Sequence, residues 1–581
     1  MFKKGAAIVA PNVSIIPKQD AGSTKPGRGV YLPGKIDIWM LGVSTVLGGQ
    51  YFGWNIALIS GVYSFIIASA IETVAYVLFC WSVSEATGAL PFAGGAYGLA
   101  RCTIGFFPAY LVGCFQILQY IFSVSIALTL MMPMLRSISP QLAGYEPLLI
   151  FLLYAITLGV QFRGGRVFWG ICWFFGIFGI GAILLFCIGC APHVNFKQNA
   201  VPVPQLEYIG GFEFFVRYMP FTSMFYVGIE ALNLASKDVS QPKTTIPIAQ
   251  MTCMASMVVT SLSLGLISIS IPMPGGIVTM FGTLEPLGNG FRLVLKASAN
   301  VVTWITLVPS YGVAFGFMWA YARLIKSMAS SRLLPSFLAK SSRRFGTPWA
   351  AHIAGSLLGY IVCLIITYYP ISIYYVFPIT MLFSFFSYAG QCLAYIILRL
   401  QYPVMKQSTF KSPFGVPGAA FSLAVWVFCI VGMVYTGKIL IVWAPITLVA
   451  SAYYWGYAHK RQTFSDEENM ILLTAHVSRF NAKRRKVKPR GKTSQNKSNG
   501  GGGGQARGAS TGSVPSGRHS VDRNSARHSA TGAHYSVVPE HNVPDMAAIH
   551  AATARHKAEQ AASAMSRNHS TARVDTSIRG G

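Results

Sequence analysis

The stretch "VSTVLGGQYFGWNIALIS", residues 43–60, has the apolar content of a membrane span and, at its centre, three residues that weaken one: Gly48, Gly49 and Gln50. Each glycine costs a helix about 1 kcal/mol relative to alanine, and a glutamine amide in hydrocarbon needs a hydrogen-bond partner. A second apolar stretch, "MPFTSMFYVGIEALNLASKDVSQPKTTIP" (219–247), is interrupted by Gly228 and Glu230. An acid at membrane depth marks a functional site by default. The bland alternative is that Glu230 pairs with another buried polar group or, protonated, caps one.

The surrounding chain is built for a bilayer. Its apolar fraction is 53% and its charged fraction 11%, less than half the roughly 25% of a soluble domain. The charges collect in a polar segment 1–35 and a basic segment 460–581, leaving a hydrophobic body over 36–459. With a window of roughly 20 residues per crossing, about twelve spans begin near Ile36, Val62, Gly105, Pro147, Val167, Phe214, Ile246, Asn300, Ala350, Ile371, Val416 and Lys438. The expected fold class is therefore an all-α polytopic membrane protein. Lys and Arg concentrate in alternate loops, including Arg323, Lys326, Arg332, Lys340, Arg343 and Arg344. Under the positive-inside rule this asymmetry expects both termini in the cytoplasm, with the plasma membrane as the expected location.

Several functions are disfavoured by what the chain carries. Its ten cysteines fall almost wholly inside spans, where thiols act as small apolar groups. Cys187 and Cys190 form a CxxC without a second pair or nearby histidines, so neither a metal nor a cofactor is expected. No Walker-type Gly-x4-Gly-Lys-Ser/Thr nucleotide loop is present, which argues against ATP drive. An embedded enzyme would need an acid-base constellation, and His352 is the main histidine in the spans. The formal charge of +28 comes without aromatic platforms for nucleic acid, so no nucleic-acid partner is expected.

The two interruptions fall in the first and sixth spans, the opening members of two successive groups of five. Interrupted segments in corresponding places of two halves point to a transporter with inverted repeats. Unwound backbone at the midplane presents N–H groups at one half-helix end and carbonyls at the other. Such a site suits a small zwitterion or amine.

Four stretches then carry a resemblance: the first broken span; "SEATGALPFAGGAYGLAR" (84–101); "YVGIEALNLASKDVSQPKTTIP" (226–247); and "YARLIKSMASSRLLPSFLAKSSRRFGTPWA" (321–350). Their order and spacing resemble the amino acid-polyamine-organocation (APC) permease superfamily from about Pro33 to Tyr457. The run "GGQYFGWNIAL" is most similar to the ethanolamine permease group, with amino acid permeases of the same superfamily as the alternative. The resemblance implies a LeuT-like fold of two inverted five-helix repeats plus two extra helices. It also implies a substrate site between spans 1, 3, 6, 8 and 10. On that basis Gly48, Gly49 and Gln50 are expected to hold a carboxylate or hydroxyl through their N–H groups. Phe225, Tyr226 and Val227, beside Gly228, are expected to offer carbonyls to an ammonium, and Glu230 to add charge or carry a proton. Tyr51, Gln119, Tyr120 and Tyr311 are secondary candidates for selectivity.

Two departures stand out. The fifth span (167–189) holds no lysine of the kind that replaces a sodium ion in some proton-coupled relatives. After the sixth span, Lys237-Asp238 stands where paired acids are common. Coupling to a proton, exchange and facilitated diffusion all stay open.

Beyond Lys460, "SDEENMILLTAHVSRF" places Ser465 and Glu468 in capping-box spacing, and a short amphipathic helix is expected over 465–486. The following "NAKRRKVKPRGK" would attract anionic lipid at about 1 kcal/mol per base. Glycines 500–504 open a low-complexity region in which Arg518-His519-Ser520 and Arg527-His528-Ser529 repeat. The function expected is a secondary transporter of small amines or amino acids working by alternating access. A non-transporting sensor that signals through the tail is the alternative.

Overall fold

The computed structural model describes residues 31–342, 345–435 and 438–487. The glycine tract, the two Arg-His-Ser repeats and residues 488–492 of the polybasic run lie outside the described residues. Among the described residues there is no strand, and nine helices are long and apolar enough to cross a membrane. Numbered by the twelve expected crossings, these are span 2 (Val62–Ala89), span 3 (Phe106–Ile138), span 4 (Glu146–Arg163), span 5 (Gly165–Cys190), span 7 (Pro242–Ser270), span 8 (Ala299–Ser330), span 9 (Trp349–Tyr368), span 10 (Ile373–Gln401) and span 11 (Gly415–Val434). The three remaining crossings are the irregular ones: span 1 (35–60), span 6 (211–237) and span 12 (440–461).

Span 1 is α-helical over Lys35–Val46, tightens to a 3₁₀ turn at Leu47–Gln50, reverses through Gly53 at φ +88° and resumes as 3₁₀ over Trp54–Ser60. Span 6 follows the same plan. Its α-helix Gly211–Tyr218 tightens to 3₁₀ at Met219–Phe225, turns through Gly228 at φ +101° and resumes as 3₁₀ over Ile229–Lys237. Runs of 3₁₀ this long are uncommon and mark strain or a hinge. A left-handed φ this large costs a residue with a Cβ and favours glycine, which explains the residue type at both turns. The interruption of span 1 therefore reaches from residue 47 to Gly53, three positions past the Gly48–Gln50 centre read from the sequence.

Spans 1 and 6 sit in the middle of the bundle. Span 1 packs on spans 5, 7 and 8, and span 3 crosses between spans 8 and 10. Spans 4 and 5 turn large side chains outward, among them Phe151, Ile156, Ile177 and Ile188, a surface suited to lipid. On the face that carries the basic loops, Glu85 at the end of span 2 is buried. It accepts from Tyr395 at 2.6 Å, from the Ser412 amide at 3.2 Å and from Arg399. The tail helix Asp466–Val487 starts on this face with a reciprocal cap: the Ser465 amide donates to Glu468 Oε2 (3.1 Å) and the Glu468 amide to Ser465 Oγ (3.4 Å). Glu468 is itself buried, taking Arg101 at 2.9 Å and the Ser331 hydroxyl. The helix is thus pinned to protein by its first turn.

Candidate substrate site between the broken spans

The interruptions of spans 1 and 6 touch. A Cβ built on Gly49 would fall on the Met224 carbonyl oxygen of span 6, and one on Gly48 would meet Val313 and the Pro309 carbonyl of span 8. Neither position has room for a side chain, so both glycines serve close backbone approach. At this junction lies a cavity of about 30 Å³, enough for a water molecule and too small for an amino acid. Gly49 and Val227 line it, with Phe52, Ser123, Met224, Phe317, Phe377 and Thr380. No charged side chain reaches the wall. Its hydroxyls donate within their own helices, Ser123 to Gln119 O (2.8 Å) and Thr380 to Val376 O (2.7 Å), so toward the cavity they offer lone pairs.

The two ends of the cavity differ. Away from the basic loops, Phe221 of span 6 and Phe377 of span 10 stack at 5.8 Å with an 8° interplanar angle. On the basic side a vestibule of about 480 Å³ is lined by Gln161, Trp319, Arg323, Lys326, Asp238 and Glu467, among others. Arg323 pairs there with Asp238 at 2.8 Å, and Lys237 pairs with Glu467. Burial raises the Asp238 carboxyl, and the Arg323 guanidinium opposes that shift.

Glu230, fully buried, does not line the cavity. Its Oε1 accepts from Gln119 Nε2 and the Tyr120 hydroxyl, and its Oε2 from the Tyr388 hydroxyl, each at 3.1 Å. Gln119 also donates to Tyr388 (3.1 Å) and Gln116 to Tyr120 (2.8 Å). The carboxyl thus ties span 6 to spans 3 and 10, and Tyr120 stacks on the cavity residue Phe317 at 5.3 Å.

The side chains of the other expected residues find partners away from the cavity. Gln50 donates to the Met257 carbonyl of span 7 (3.2 Å), and Tyr51 to the Gly179 carbonyl of span 5 (2.9 Å). Phe225 stacks on Trp54 at 5.3 Å, and the Tyr226 hydroxyl bonds Thr73 and Ser261 behind span 6. Tyr311 turns to span 4, bonding the Thr157 hydroxyl and Leu153 O. The structure brings Gly49 and Val227 to the cavity, with Gly48 and Gly228 packed at its edge, and holds Glu230, Gln119 and Tyr120 as one network. Spans 3, 8 and 10, which the resemblance implied at the site, do line the cavity, but through Ser123, Val313, Phe317, Phe377 and Thr380, residues the sequence reading did not name. Ser123 alone had a signal, one turn beyond Gln119. The sequence reading also missed Glu72, an acid inside the apolar run of span 2 that the rule applied to Glu230 would have found.

A sequence-family comparison matches residues 38–467 to the amino acid permease model. The chain belongs to the amino acid permease family. Relatives of this permease include an uncharacterized transporter of Rhizobium meliloti, 24% identical over 55% of this chain and 69% of its own. A methylthioribose transporter of Bacillus subtilis is 22% identical over 67% and 86% respectively. A chloroplastic cationic amino acid transporter of Arabidopsis thaliana is 24% identical over 49% and 52%. The permease is accordingly an integral membrane transporter and not an enzyme.

Proposed function

We propose that this permease carries a small neutral amino acid, or an amine of similar size such as ethanolamine, by alternating access around the junction of spans 1 and 6. The observation that carries the reading is the cavity at that junction, which has no charged wall, is closed on one side by Phe221 and Phe377, and faces a vestibule on the other. An uncharged wall supports a neutral side chain over a basic one, because a buried cationic side chain would need a paired acid. In this reading the charged ends of a zwitterion meet unwound backbone, the Gly48–Gln50 side taking a carboxylate or hydroxyl and the Phe225–Val227 side an ammonium. The cavity of the closed state widens as the bundle rocks. The basic ends of the spans support cytoplasmic termini, and the plasma membrane is the proposed location.

The test is uptake into proteoliposomes of labelled ethanolamine and of a panel of neutral and cationic amino acids. Uptake of neutral amino acids or of ethanolamine, not competed by lysine or arginine, is the expected result. Preferential uptake of cationic amino acids, or no uptake at all, overturns the reading.

A further inference from the structure

The second acid at membrane depth has none of the saturation seen at Glu230. Glu72 lies ten residues into Val62–Ala89, about 15 Å from the end of span 2 remote from the basic loops at 1.5 Å per residue. That depth is near the middle of roughly 30 Å of hydrocarbon. Its side chain is fully buried. Oε1 accepts from the Cys429 thiol of span 11 at 3.0 Å, and Oε2 has no hydrogen-bond partner among the described residues. No basic side chain pairs with it among those residues.

What surrounds Oε2 is specific. The Ser223 hydroxyl, in the first half of span 6, faces the carboxyl without closing a hydrogen bond of ordinary geometry. One turn along span 2, the Tyr76 hydroxyl is buried and also unpartnered. The Tyr76 ring packs on Tyr226 at 5.2 Å and on Tyr388 at 5.8 Å, and Tyr388 donates to Glu230. The neighbouring Thr73 hydroxyl bonds Tyr226 at 2.7 Å. The titratable groups facing Glu72 are therefore Cys429 from span 11, Tyr226 from span 6 and Tyr76 from its own helix. Span 7 contributes the Ser261 hydroxyl through Tyr226, and span 10 contributes Tyr388 through Tyr76.

A carboxylate in hydrocarbon with one thiol donor is poorly satisfied, whereas the acid form has a proton to offer an oxygen such as Ser223 Oγ. We infer that Glu72 is the proton-binding group of a proton-coupled cycle, and that Ser223 reads its protonation into the moving half of span 6. The inference rests on the transport reading above and adds a coupling ion to it. One proton binds Oε2 from the side away from the basic loops, with Glu72 carboxylate becoming the neutral acid. The acid donates a hydrogen bond to Ser223 while the loaded carrier rocks. The same proton leaves to water on the basic side, and the carboxylate is regenerated. No other bond is made or broken. Glu72 is not among the residues that line the cavity, so substrate recognition does not depend on it directly.

The experiment uses the full chain in proteoliposomes with an entrapped pH dye and two assays, using labelled L-alanine and ethanolamine as probes. The first is counterflow at equal pH on both sides, which reads transport alone. The second is accumulation under an inward proton gradient. Wild type is expected to accumulate probe several-fold above its equal-pH level and to acidify the lumen as it does so. Glu72→Gln, which imitates the protonated acid, is expected to keep counterflow and lose the gradient-driven increment together with the acidification. Glu72→Asp is expected to recover accumulation with a displaced pH profile, which a purely structural role would not produce.

Gradient-driven accumulation with lumen acidification in Glu72→Gln overturns the inference, and so does an Asp variant whose pH profile matches wild type. Counterflow in wild type without a proton-driven increment, or with one driven by sodium, overturns the coupling role and leaves the transport reading standing. No counterflow in wild type removes the transport reading and this inference with it.

Discussion

The breaks in spans 1 and 6 share one backbone plan and are held open by different means. In span 1 the supports are steric: Gly48 and Gly49 lie against backbone carbonyls of spans 8 and 6 where no side chain fits. In span 6 the support is polar: Glu230 is gripped by Gln119, Tyr120 and Tyr388. A steric support tolerates no added atom, while a polar one can slide as its hydrogen bonds exchange. The difference casts span 1 as the fixed wall of the site and span 6 as the element whose shape answers to neighbouring groups.

The strongest way to break this contrast is Gly49→Val. Overpacking costs about 1–3 kcal/mol or more, and here the obstructing atom is a carbonyl oxygen that cannot rotate away. Uptake should be lost and the yield of monodisperse protein should drop. Normal uptake would remove the steric account of span 1. Next comes Glu230→Gln. Hydrogen bonds to a charged group are worth about 1.5–3 kcal/mol, so uptake should fall about tenfold or more while membrane insertion is kept. Full activity at several pH values would take Glu230 out of the mechanism.

Smaller effects sharpen the shared plan. Gly53→Ala and Gly228→Ala each force a left-handed residue, at about 1–2 kcal/mol, and each meets a ring, Phe377 or Phe317. Thermal unfolding in detergent should show two similar losses. A silent Gly53→Ala would restrict the left-handed device to span 6. Smallest is Tyr311→Phe, which deletes hydrogen bonds to span 4 worth about 1 kcal/mol. The melting midpoint should drop slightly with the substrate KM unchanged. A changed KM would bring Tyr311 back to the substrate.

Much of the architecture was legible because membrane spans are long and the faults in them are conspicuous. The Gly48-Gly49-Gln50 and Gly228-x-Glu230 interruptions located two of the three irregular crossings, and Ser465 with Glu468 anticipated the cap that begins the tail helix. The purpose of Gly48 and Gly49 was not legible, since close approach depends on Met224 and Pro309, residues of other spans with no signal of their own. The turning residue Gly53 was hidden for a related reason: a single glycine in an apolar run reads as an ordinary small residue until φ is known. The particular wall residues on spans 3, 8 and 10 were not legible, because polar side chains such as Gln116, Ser125, Thr306 and Ser384 are scattered along these buried helices and do not mark one inward face. Gln50, Tyr51 and Tyr311 show the converse. Polar atoms in spans attract functional readings, yet each here meets a carbonyl or hydroxyl of a neighbouring helix.

The tail cap has a consequence for how the molecule can be made and cut. Arg101 emerges early in synthesis, yet its buried counter-ion, Glu468, is supplied 367 residues later. Until then the guanidinium has no acid to meet, so this corner closes only after every crossing has been synthesised. A chain stopped before residue 466 keeps every crossing and strands that charge, at a cost of about 3–5 kcal/mol for a broken buried pair. A chain stopped after residue 487 keeps the pair. Two truncations that both remove "the tail" would therefore yield different proteins, one measuring what the distal residues do and the other measuring an unfinished fold.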